Sequence, residues 1–154
     1  MSVPVLRSPE NVQQLLSERW LDVQRVVGSL VSGVQLSLEI GHSEHFRSPR
    51  GYATTKVLSP SRFHITFSDK VLRCSVDRLD ALIRHELGHV IDFATDREAA
   101  NRWARSRGID LPPTPERRAD AVAFAVWRQM LRYDADEVQS LTEGAWARPE
   151  HLGL

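Results

Sequence analysis

The sequence predicts an α+β domain in which a small, mainly antiparallel three-stranded sheet is set among helices. Two observations carry this. Apolar residues alternate with polar ones along short stretches between Val34 and Phe67, and they recur at helical spacing before and after. The chain has 154 residues, 42% hydrophobic and 26% charged, which suits one folded domain over residues 1–154 with a core of its own. No repeat, low-complexity run or compositional break divides it.

The elements follow in order. "SPENVQQLL" opens a helix expected over residues 9–30: Ser8 caps, Pro9 suits the first turn, and Glu10 suits the positive helix end. Val12, Leu15, Leu16, Leu21, Val23, Val26 and Val27 form its apolar face. "GVQLSLEIG" alternates cleanly and reads as a half-buried strand, and "HSEHFRSPRG" reads as a loop. "YATTKVL" and "FHITFSD" are two strands joined by the turn "SPSR", an expected antiparallel hairpin whose threonines and Lys56 suit an exposed edge. From Asp77, an expected cap, the period turns helical through Ala94. "REAANRWARSRG" makes a short helix ending at Gly108, and "IDLPPTP" is a rigid loop. Thr114 and Pro115 open a helix expected to reach Arg132. A last helix is expected over residues 136–145, and residues 147–154 form a loose tail.

Bulk properties narrow the function. The formal net charge is zero, which argues against a chain built to hold nucleic acid or an acidic membrane. Cys74 is the only cysteine, so no intramolecular disulfide forms. With no signal-like N-terminus and no apolar run of membrane-spanning length, a cytoplasmic location is expected.

The chemistry concentrates in "LIRHELGHVID". His85 and His89 are four apart, so a helix presents both on one face and can aim two imidazole nitrogens at one metal ion. Glu86 lies beside that pair. Zinc lowers the pKa of a bound water, and a carboxylate outside the ligand set can take the proton. The competing reading is an amphipathic helix with two ordinary histidines. Gly88, a poor helix former inside the motif, implies close approach by a neighbouring element. A catalytic zinc needs a third protein ligand and one open position. Asp92 and Thr95 stand where the metzincin pattern requires glycine and histidine, so that completion fails. Asp110, in the downstream loop, and Glu116, on the later helix, remain. Glu116 is four residues before Asp120, which can accept the N–H of a ligand histidine; the bland alternative is an acidic first helical turn.

"HELGH" followed by "ERRAD" resembles the gluzincins, zinc metallopeptidases with a glutamate ligand. Over roughly residues 50–130, including the "RFHITFSDKVL" strand, the chain is similar to the short repressor-cleaving metallopeptidases of phages and mobile elements. The resemblance implies a minimal zincin-like fold: a small twisted sheet over an active-site helix, with a glutamate-bearing helix behind it. It implies His85, His89 and Glu116 as ligands of one Zn2+, Glu86 as general base and acid, and Asp120 as the residue orienting a ligand histidine. This sequence departs from that likeness in showing no helix-turn-helix segment, so a repressor-cleaving role rests on analogy alone. For the oxyanion, Tyr52, Tyr133 and His151 qualify by residue type alone.

The resulting expectation is peptide-bond hydrolysis, with a protein or peptide substrate, a regulatory protein among the candidates. The peptide would lie along the edge strand Gly51, Tyr52, Ala53, Thr54, Thr55, Lys56 and Val57 by strand addition. The alternative is a catalytically silent zinc-binding module, although such a module has no need of Glu86. Elsewhere bland readings are preferred. His42 and His45 are a solvent-exposed loop pair, His64 a sheet-surface residue, and Cys74 a buried structural thiol. Arg97, Arg102, Arg105 and Arg107 form a solvated helix face, and Trp20, Trp103, Trp127 and Trp146 are packing anchors.

Overall fold

A computed structural model describes residues 7–41 and 52–129. The expected helix over 136–145, the tail, His42, His45, Gly51, Tyr133, Trp146 and His151 lie outside the described residues. Within them the chain is α+β, with elements in the order α1 (Pro9–Val27), β1 (Gln35–Gly41), β2 (Ala53–Ser59), β3 (Arg62–Ser68), α2 (Val76–Ala94), α3 (Arg97–Ser106) and α4 (Pro115–Trp127).

Helix starts follow local chemistry. The Ser8 hydroxyl accepts from the Asn11 amide at 3.2 Å, and the Asn11 side chain accepts from the Ser8 amide at 3.1 Å, a reciprocal cap. α1 ends at Val27, short of the expected 30, because the chain tightens into a 3-10 turn over Gly28–Val31. α2 is capped by Ser75, which accepts from the Arg78 amide at 3.1 Å; Asp77, the expected cap, sits in the first turn instead. α4 starts at Pro115 as expected but stops at Trp127, where Arg128 turns left-handed with φ 58°.

The sheet corrects one expectation. Its order is β1-β3-β2, with β2 antiparallel to β3 but β1 parallel to β3, so it is mixed rather than mainly antiparallel. The hairpin through Pro60 and Ser61 forms as predicted. However, β3 turns back between β2 and β1 and takes the central place. Burial explains this choice. Phe63, Ile65 and Phe67 of β3 are fully buried, whereas Thr54, Lys56, Val57 and Leu58 of β2 are exposed and tolerate an edge. A register irregularity between Val57 and Ser59 interrupts that edge. On the outer face His64 meets Ser37 at 2.7 Å and Glu39 at 3.3 Å, a sheet-surface position as expected.

The core gathers β3, α1 (Val12, Leu16, Val23, Val27), α2 (Leu79, Ile83, Leu87, Val90, Ile91) and α4 (Val122, Ala123, Val126). Leu21 and Val26 of α1 remain exposed, off the buried stripe. Trp20, Trp103 and Trp127 pack on the core margin, as does Cys74, whose thiol is pushed up by burial. Ala104, Ile109, Ala121, Phe124 and Ala125 join α3 to α4. No helix among the described residues is long and apolar enough to cross a membrane.

Candidate metal centre

The site depends on how closely α2 and α4 approach. A Cβ built on Gly88 would run into the carbonyl oxygen of Ala119 and lie 2.9 Å from its carbonyl carbon, closer than real Cβ atoms come. Gly88 therefore lets α4 press directly on α2, the close neighbour that its place in the motif implied. A buried clasp fixes the same pair of helices. The Arg118 guanidinium donates to Asp92 at 2.7 and 3.1 Å and to Asn101 at 2.9 Å, joining α4, α2 and α3. Ala119 and Arg118 stand between Glu116 and Asp120 on α4, so both contacts set where those carboxylates fall.

The two carboxylates reach the histidines of α2. Asp120, fully buried, meets His85 Nδ1 at 2.7 Å. The Glu116 carboxylate spans both rings, with Oε2 2.8 Å from His85 Nε2 and Oε1 3.2 Å from His89 Nε2. The histidines stand edge to face, 4.7 Å between centroids. Phe93, one turn further along α2, stacks on His89 at 5.2 Å.

Charge follows geometry. Burial would push His85 down, but hydrogen bonds from its two nitrogens to Asp120 and Glu116 outweigh it and hold the ring well above its ordinary pKa. The hydrogen bonds to His85 and His89 hold Glu116 well below the usual carboxylate range, against the opposing effect of burial.

These residues can hold a metal ion. Ligand atoms of His85, His89 and Glu116 all lie within 4.8 Å of one another. Two neutral nitrogens and one carboxylate make a donor set that suits a divalent cation with nitrogen preference. The exposure is lopsided: both histidines are buried, while the Glu116 side chain is 62% exposed. The ring nitrogens thus converge from the protein side and leave an open flank. Asp120 on His85 Nδ1 leaves Nε2 to face the ion, the arrangement that orients metal-binding imidazoles.

Glu86 is buried beside His85, and the Thr55 hydroxyl of β2 donates to its Oε2. The remaining candidates separate clearly. Asp110 is 93% exposed and pairs with Arg105 at 3.5 Å, so it does not complete the group. Tyr52 lies under the Arg78 guanidinium, 4.0 Å from the ring centroid, near the start of α2. Arg97 and Arg107 donate to the carbonyls of Pro113 and Ala125, so half of the expected solvated arginine face braces the loop and α4. Sequence reasoning had Thr55 only as part of an edge strand, and Asp92 only as a missing glycine. The alternation along β2, which turns Thr55 inward with Ala53, was the available signal for the first.

Compared with family models, curated proteins and solved structures, the chain shows no match.

Proposed function

We propose that the chain is a zinc-dependent metallopeptidase with a zincin-like fold, of the gluzincin type. The observation that carries this is the convergence of His85, His89 and Glu116 within 4.8 Å, with Glu86 buried alongside. His85 and His89 through Nε2, and Glu116 through its carboxylate, would hold the ion. Zinc bound there supplies Lewis acidity toward a peptide carbonyl and an attacking water. Glu86 takes a proton from that water and returns it to the leaving amine. Asp120 keeps the His85 tautomer. An extended peptide would pair with β2, the edge strand nearest Glu86, over Ala53–Val57.

The test joins metal content to cleavage of a mixed peptide library. One zinc per chain and zinc-dependent cleavage are expected. Glu86→Gln should keep the zinc and lose turnover, whereas alanine at His85, His89 or Glu116 should lose the zinc. Undiminished cleavage by zinc-loaded Glu86→Gln, or no stoichiometric zinc after dialysis, overturns the proposal. Stable zinc without any cleavage favours the silent module.

A further inference from the structure

Glu86 is 4% exposed, and Thr55 is its one hydrogen-bond partner among the described residues. A buried carboxylate on a side chain with three rotatable bonds is hard to aim. One hydrogen bond from a stiff neighbour changes that. Threonine is β-branched and confined at χ1, and on a strand its hydroxyl is a well-fixed donor. Thr55 turns inward toward α2, while Thr54 and Lys56 on either side face solvent. The strand that carries it is the sheet edge opposite β1.

We propose that Thr55 is a positioning residue: its hydroxyl holds Glu86 Oε2, leaves Oε1 free for proton transfer, and ties that orientation to the edge strand. This rests on the peptidase reading. The alternative is that Thr55 merely satisfies a buried oxygen and contributes to folding alone. The two differ in what moves when the hydroxyl is lost. Thr55→Val keeps shape and strand preference while removing the donor; Thr55→Ser keeps the donor.

The experiment compares these variants with the full-length wild type in three readouts: zinc affinity by chelator competition, kcat and KM on a cleaved library peptide, and acetohydroxamate binding to the cobalt-loaded protein by visible absorption. A hydroxamate chelating a metal hands a proton to a neighbouring carboxylate, so it reports Glu86 without any turnover. Thr55→Val should lower kcat about 10- to 100-fold, the range expected for losing a hydrogen bond to a charged group. KM and zinc affinity should stay unchanged, hydroxamate binding should weaken, and Thr55→Ser should remain close to wild type. Wild-type kcat and hydroxamate affinity in Thr55→Val overturn the proposal, as does a kcat loss that tracks zinc loss or is shared equally by Thr55→Ser. A wild-type protein that takes up neither metal overturns both readings. If the wild type binds cobalt and hydroxamate yet cuts nothing, the peptidase reading fails, and hydroxamate binding to Thr55→Val still decides whether Thr55 holds Glu86.

Discussion

Replacing Gly88 with alanine sets two effects against each other. Inside a helix, alanine is favoured over glycine by about 1 kcal/mol, so propensity alone makes the variant more stable. The new Cβ, however, would meet the Ala119 carbonyl carbon at 2.9 Å, whereas ordinary contact begins near 3.4 Å. The Ala119 carbonyl oxygen lies closer still, and the obstacle is backbone, which cannot rotate aside, so α4 must retreat by about 1 Å. Overpacking of this kind costs about 1–3 kcal/mol, and rigid backbone places it at the upper end. The net expectation is a loss of about 1–2 kcal/mol. The same retreat would carry the 2.7 Å contact between His85 and Asp120 beyond hydrogen-bonding range. Zinc affinity should then fall about 10-fold, the lower range for disturbing a residue that orients a ligand. Urea unfolding gives the first quantity and chelator competition the second. A Gly88→Ala protein with a raised urea midpoint and unchanged zinc affinity would refute the close-packing argument.

Two further outcomes follow from the same contacts. Asp92→Ala leaves Arg118, 3% exposed, with only Asn101 among the described residues; unfolding should show a loss of about 3–5 kcal/mol, and a loss below about 1 kcal/mol would mean the clasp behaves as a surface pair. In the metal-free protein the raised His85 contributes stability that is complete below about pH 6.5 and lost as pH rises through its folded value. The lowered Glu116 contributes stability present above about pH 4.5 and lost as pH falls through its folded value. Thermal melts of metal-free protein should therefore fall from near neutral toward alkaline pH. Zinc affinity should rise over that range, because His85 gives up a proton to bind; melts insensitive to pH would contradict the pairing.

Much of the site was legible because it is local. His85, Glu86 and His89 share one helical turn, and Glu116 and Asp120 share another, so spacing alone predicts their faces. Pro115 and Thr114 marked where the second turn begins. What periodicity could not supply was the neighbour of each face. It showed that β1 alternates, but not that β3 would run parallel to it, since strand order is decided by which strand has the most to bury. Nor could it pair Asp92 with Arg118 or Thr55 with Glu86. Those partners are 26 and 31 residues apart and meet only after the helices and sheet have packed.

The irregular register of β2 has a bearing on how the molecule keeps to itself. Any strand edge open enough to receive a peptide is also open to the same edge of a second copy, and stacked edges of this kind lead to aggregation. Here the edge is divided. Ala53–Val57 pairs regularly with β3, whereas Leu58 has no partner in the register and breaks the ladder near the end of the strand. Lys56 adds a charge that two copies would have to bring together. A short extended visitor can be accommodated along the regular half, while a long, flat, self-matching ladder is interrupted before it can grow.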